Sequence, residues 1–176
     1  SFNGELKCVF DMGNFVLDGY NPVDGYNTLK DYIDAANSKM DEELQLAKNI
    51  QSSALPKPYP LFAKHKEFDI AAYMGTAKEV GGDFYDFYIN ENRLNFLIAD
   101  VSGKGVPAAM FMMRAKTELK SLSESDMYIS DVFTQANEEL CVGNEAGMFV
   151  TAWQGKMDLK TGLIWYVNAG HNAPLI

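Results

Sequence analysis

Cysteine is scarce: in 176 residues there are only two, Cys8 and Cys141. They lie far apart and lack the spacing of a metal site. Both read as ordinary reduced cysteines of a cytosolic protein. Basic residues are also few, 15 Lys and Arg against 24 Asp and Glu, for a formal net charge of −9. That balance excludes nucleic acid as a partner, because a phosphate backbone needs a basic surface. It also disfavours an anionic membrane surface, and it is silent about a protein substrate. No apolar run approaches the ~20 residues of a membrane span, and no signal peptide is visible. The chain begins at Ser1 rather than Met, so an upstream portion, a membrane anchor included, stays open. The expectation is a cytoplasmic domain, tethered to a membrane only through an absent N-terminal region. No Cys-x5-Arg loop and no Ser/His/Asp set is apparent, nor any internal repeat or low-complexity segment.

Hydrophobic residues make up 47% of the chain, enough for a real core. The length suits one domain with an appendage. Residues 1–27 hold short apolar groups split by Gly13, Gly19, Pro22 and Gly25. Gly and Pro at that density mean turns, so this stretch reads as an arm or the remnant of a sensor domain. From Thr28 to Ser53 there is no Gly or Pro, and Leu29, Ile33, Ala36, Met40, Leu44, Ala47 and Ile50 recur at gaps of three or four. That spacing predicts a long helix with one apolar face, ended by Pro56, Pro58 and Pro60. Either the helix packs on its own domain or it forms a two-stranded coiled coil.

Segments 68–74, 84–89, 94–101, 148–157, 163–168 and 174–176 read as strands, with Asn90-Glu91-Asn92 and Lys160-Thr161-Gly162 as turns. A helix is expected from Pro107 to about Leu122, where proline suits the first position. A second is expected from about Ser130, burying Val132, Phe133, Ala136 and Leu140. Two central helices flanked by antiparallel strands give a layered α+β domain.

The chemistry concentrates in Glu79-Val80-Gly81-Gly82-Asp83-Phe84-Tyr85-Asp86 and in Ala99-Asp100-Val101-Ser102-Gly103-Lys104-Gly105. Phe96-Leu97-Ile98-Ala99 is a short apolar strand that ends in a carboxylate. Carboxylates are rarely buried unless paired or metal-bound. Asp100, beside a glycine-rich turn, is a plausible ligand for a hard cation. Period-two alternation puts Asp83 and Asp86 on opposite faces. Gly81-Gly82 lets the backbone approach something closely. Asp83 is then either a ligand or a turn-capping carboxylate. Ser102–Gly105 is not a P-loop, because Ile98 stands where the earlier glycine belongs. Its helix N-terminus still suits an anion, although Gly103 and Gly105 serve equally well as mere turn formers. His171, in a polar turn, reads as structural, and His65 as a solvated residue after a Pro-rich linker.

Five blocks come in a fixed order between about Glu43 and Ile176: ELQLAKNIQSSALP, AKEVGGDFYDF, LIADVSGKGVPAAMFM, MFVTAW and YVNAGHNAPLI. They resemble the bacterial stage-II-sporulation-E-like (RsbU-like) branch of the PPM metal-dependent serine/threonine protein phosphatases. The first 27 residues or so have no match. The resemblance implies an α-β-β-α sandwich over 56–176, preceded by a signalling helix over 28–55. It also favours the coiled-coil reading of that helix, hence a homodimer through 28–53. It implies two Mn2+ or Mg2+ ions, with Asp83 and Asp100 as carboxylate ligands and Val101 supplying a main-chain carbonyl. Asp86 becomes a surface or capping residue, and Lys104 and Gly105 become candidate phosphate contacts. A water activated by the two ions would attack phosphorus, so no protein nucleophile is needed. The substrate implied is a phosphorylated regulatory protein of the anti-sigma-factor antagonist type.

The family's motif set continues past the last block with further carboxylates, so the resemblance implies a C-terminally truncated domain. The chain as far as Ile176 is expected to be inactive or nearly so by itself. Two other readings stay open: a non-catalytic scaffold that keeps the fold, and an unrelated nucleotide-binding domain using the Ser102–Gly105 turn.

Overall fold

The computed structural model describes residues 22–57, 62–75 and 79–175. The arm over 1–21, Cys8 with it, lies outside the described residues, as do Pro58, Pro60 and Ile176. The chain divides into two compact units, Ser1–Glu43 and Leu44–Ile176.

Helix α1 spans Pro22–Ser53. It starts six residues before the expected Thr28. Proline in a first helical turn forfeits an N–H that has no intrahelical partner anyway, so a stretch that reads as turns begins a helix instead. Residues 27–43 are solvent-exposed, Leu29, Ile33 and Met40 among them. In the second unit Gln51 and Leu55 are buried, and the helix gives way to a turn at Ala54.

That second unit continues with β1 (Phe84–Asn90), β2 (Arg93–Val101), α2 (Val106–Ser123), α3 (Ile129–Cys141), β3 (Val150–Asp158) and β4 (Ile164–Ala169). The strands form one antiparallel sheet in the order β1-β2-β3-β4. Phe84 pairs with Ala99, Asp100 with Thr151, and Trp153 with Asn168. Glu91 makes the tight β1–β2 turn with φ 55. Asp158 makes the β3–β4 turn by accepting from the N–H groups of Lys160 and Thr161, both at 2.9 Å. The α+β layering expected from the sequence is present.

Pro107 enters α2 in its first turn, one place later than expected. Ala108, Met112, Ala115 and Leu119 recur every three or four residues and bury one face of α2. Val132, Ala136 and Leu140 do the same for α3. They close on Phe84, Leu97, Ala99, Val101 and Ala152 of the sheet. Each fully buried large side chain contributes about 1.5–3 kcal/mol.

The opposite sheet face is aromatic. The Phe96 ring lies 5.4 Å from Trp153 at a tilt of 48°, and Trp153 stacks on Tyr166 at 5.8 Å. Phe96 also lies over Gly155, where an added Cβ would meet the ring at 2.5 Å. Among the described residues two expected strands, 68–74 and 174–176, do not form. Residues 68–75 and 171–175 are irregular. Phe68 is anchored by its ring instead of a ladder, 5.4 Å from Phe62 and stacked 5.5 Å from His65. His65 is therefore half-buried and lies 3.3 Å from Glu67, not freely solvated.

Candidate functional site

Strand β2 ends with two residues of opposite aspect. Val101 is 2% exposed and packs toward the helices, whereas Asp100 is exposed. In an antiparallel pair that begins at Phe84–Ala99, the next step outward sets Asp83 beside Asp100. Gly82 makes this approach feasible. A Cβ there would stand 2.7 Å from the Val101 carbonyl oxygen, 2.9 Å from the Val101 Cβ and 3.3 Å from the Ala108 Cβ. Only glycine fits such contact with backbone. Gly81, one residue earlier, is held by the buried amide of Gln51.

Asp83 and Asp100 share a cavity of about 280 Å³ with Tyr73, Tyr85, Ile98 and His171. Asp83 as a residue is exposed, but its carboxyl end reaches into the cavity. Desolvation there pushes its pKa above 3.8, a hydrogen bond to Asp100 and that carboxylate's charge add to the rise, and His171 opposes it. A cation placed between the two carboxylates would relieve that repulsion. The pair therefore fits a divalent ion. Among the described residues, no group of three His, Cys, Asp or Glu side chains gathers at metal-binding spacing.

The turn after β2 is pinned to the start of β3. Ser102 N–H donates to Phe149 O at 2.9 Å, and Phe149 N–H donates to Ser102 Oγ at 3.0 Å. Gly103 and Gly105 take φ 87 and 73, so both serve the turn. Gly105 stands at the N-cap of α2, with no side-chain cap and no acidic residue in the first turn. Lys104 is exposed beside it.

Asp86 corrects the sequence reading. It is on the face opposite Asp83, as alternation requires, but it is no surface residue. It is 4% exposed and accepts from Lys116 Nζ at 2.7 Å. Its other oxygen accepts from the Phe87 N–H at 2.9 Å. Sequence reasoning missed Lys116 because the pair spans 30 positions. It also left His171 out of the site. The available signal was Asn168, three residues before His171 and able to bracket its backbone.

A family model described as Stage II sporulation protein E (SpoIIE) matches residues 90–176. The chain is 32% identical over 133 residues to the phosphoserine phosphatase RsbU of Bacillus subtilis (strain 168), covering 76% of this chain and 39% of that protein. It is 30% identical over 141 residues to the phosphoserine phosphatase RsbP of the same organism, covering 73% of this chain and 32% of the relative. The chain thus spans well under half the length of either. The SiaA-PP2C domain of Pseudomonas aeruginosa superposes with a TM-score of 0.61 at 23% identity, over 75% of this chain and 54% of that one. That likeness shows the fold. With the ordered motifs and the Asp83–Asp100 geometry, these matches make residues 90–176 part of the stage II sporulation protein E family, with a fold of the PP2C domain type.

Proposed function

We propose that this chain carries the metal-dependent phosphatase unit of a bacterial signalling protein, hydrolysing phosphoserine or phosphothreonine on a regulatory protein. The observation that carries the reading is the meeting of Asp83 and Asp100 in one cavity. Their carboxylates and the main-chain carbonyl of Val101 would hold ions of the Mn2+ or Mg2+ type, which prefer oxygen ligands. When bound, such ions activate water and neutralise phosphoryl charge.

The chain's own residues orient the substrate. Lys104 and the amide of Gly105 lie where α2 begins, and a first turn without acidic residues favours an anion there. The acidic balance of −9 suits a protein substrate better than a nucleic acid. The names of the two Bacillus relatives support a phosphoserine substrate. The motif resemblance supports a phosphorylated anti-sigma-factor antagonist in particular.

Helix α1 is proposed to pair with a second copy through Ile33, Ala36, Met40, Leu44, Ala47 and Ile50. The exposure of Ile33, Met40 and Ile50 supports this. Among the described residues no helix is long and apolar enough to cross a membrane. The domain is proposed to act in the cytoplasm.

The test is Mn2+-dependent hydrolysis of a phosphoserine peptide by the full-length protein. Asp100→Asn is expected to lower turnover by roughly a hundred-fold or more while circular dichroism stays unchanged. Wild-type turnover by this variant at limiting Mn2+ would overturn the assignment.

A further inference from the structure

The helix-facing side of β2 changes character along its length. Period-two alternation puts Arg93, Asn95, Leu97, Ala99 and Val101 on that side. Leu97, Ala99 and Val101 join the apolar core. Arg93 and Asn95 instead line a cavity of about 210 Å³, with Lys156 of β3 and with Ser123, Glu124 and Asp126 at the end of α2. Asn95 is 1% exposed. Among the described residues neither its Oδ1 nor its Nδ2 has a hydrogen-bond partner. Ser123 is already engaged, its Oγ accepting from Gln154 Nε2 at 2.9 Å. A buried amide without partners costs free energy on both its donor and its acceptor side. Lys156 repeats the pattern. It is 8% exposed, and its Nζ donates to the Ser123 carbonyl at a long 3.5 Å. Among the described residues neither Lys156 nor the exposed Arg93 makes an ion pair. Burial holds the Lys156 pKa below the ordinary lysine value, Arg93 adds to that, and Asp126 opposes it.

We infer that this cavity binds a free α-amino acid, its carboxylate on Lys156, Arg93 and the Asn95 Nδ2, its ammonium on the Asn95 Oδ1 with Asp126 and Glu124 at the rim. The unpaired amide offers a donor and an acceptor side by side. An α-amino acid carries its own acceptor and donor equally close together. A lone anion would serve Nδ2 and Lys156 but leave Oδ1 bare and face two carboxylates. A lone cation would meet Lys156. A dipolar ligand answers both signs. The volume is several times the ~30 Å³ that one water takes up, so the space is of ligand size. It is also distinct from the carboxylate pair, because Asn95 and Asp100 lie about 17 Å apart along β2 at ~3.3 Å per residue. The inference stands whether or not the chain is a phosphatase.

The probe is each proteinogenic L-amino acid in turn, added to the full-length protein and read by thermal shift, then by calorimetry for those that stabilise. Binding to the native state alone raises the melting temperature. At least one amino acid is expected to bind saturably. Sodium acetate and methylamine, each carrying half of the ligand's charge pattern, should leave the melting curve where it was. Asn95→Leu is expected to weaken binding roughly ten-fold or more, through lost hydrogen bonds to charged groups. Without ligand it should melt no lower than wild type, because it removes two unpaired polar atoms from the interior. Arg93→Ala, at an exposed position that the core does not need, should weaken binding several-fold. Asp83→Asn should bind the amino acid as tightly as wild type.

Absence of any stabilising amino acid would overturn the assignment, and an Asn95→Leu variant that then melts lower than wild type would show that water alone pairs the amide. Undiminished binding by Asn95→Leu would place the ligand elsewhere in the protein, and loss of binding in Asp83→Asn would place it at the carboxylate pair. A response to acetate as large as to any amino acid would show an anion site and overturn the dipolar ligand.

Discussion

Gln51 grips Gly81 by both backbone groups. Its Nε2 donates to the Gly81 carbonyl at 2.6 Å, and the Gly81 N–H donates to its Oε1 at 3.1 Å. Gln51 is 4% exposed, and Nε2 also lies 3.5 Å from the Met112 sulfur. The last turn of α1 thereby sets the backbone two residues before Asp83. Gln51→Leu leaves the Gly81 groups unpaired and should cost roughly 1–3 kcal/mol. Urea unfolding measures that loss, and Mn2+ calorimetry should show weaker binding because Asp83 is no longer held against Asp100. A variant with unchanged stability and unchanged Mn2+ affinity would show that this clamp does neither job.

Gly82→Ala tests the close approach behind the carboxylate pair. The new Cβ would fall 2.7 Å from the Val101 carbonyl oxygen, and backbone cannot yield as a flexible side chain does. Overpacking of this kind costs roughly 1–3 kcal/mol. The variant should fold, melt lower and bind Mn2+ less well, because β1 must move away from the end of β2. Equal Mn2+ affinity would mean that Asp83 tolerates the displacement.

The Asp86–Lys116 pair ties β1 to α2 in the interior. Lys116→Met alone should cost roughly 3–5 kcal/mol, since it strands a buried carboxylate. Asp86→Leu combined with Lys116→Met removes both charges and should restore most of that loss. Thermal unfolding of the two single variants and the double variant forms the cycle. Additive losses would show that the two side chains are not coupled.

Asp83 gives the metal-free protein a pH dependence of defined sign. Its folded pKa lies above 3.8, so its contribution to stability is present below that value. It is lost as pH rises through the folded pKa. In EDTA, Asp83→Asn should therefore melt higher than wild type at neutral pH, and the gap should close toward about pH 4. Mn2+ should reverse the order at neutral pH, because binding to the native state stabilises only the protein that keeps the carboxylate. A gap that does not change with pH would contradict the raised pKa.

Helix α1 supplies the last test. Met40 is 62% exposed within an apolar stripe. Met40→Asp with Leu44→Asp should convert a dimer to a monomer in sedimentation, since charge in a coiled-coil seam is not tolerated. An unchanged mass, or a wild-type monomer at high concentration, would rule out pairing through this stripe.

Local pattern made much of the fold legible. The apolar run 96–99 ending at Asp100 marked β2 and its terminal carboxylate. The stripe from Ala108 to Leu119 marked α2 within a residue of its limits. Gly82 could be read as a point of close approach because few other roles require glycine before a strand. Alternation along 83–87 correctly separated Asp83 from Asp86. These features depend on neighbours within a few positions, where side-chain periodicity and backbone sterics dominate.

Local pattern was enough for the order and type of the main elements, the class of the domain and the position of Asp83 and Asp100 at strand ends. Tertiary structure alone decided what each polar group meets. Asp86 looked like a surface carboxylate until Lys116, 30 positions away, neutralised it inside. Phe68–Met74 had strand composition but found no partner ladder, and the Phe68 ring settled between Phe62 and His65. His171 entered the site because the β3–β4 pairing brings it to Thr151, 20 residues earlier. Strand composition and charge are properties of a segment. Pairing, burial and hydrogen-bond partners are properties of distant segments meeting, and no local pattern encodes them.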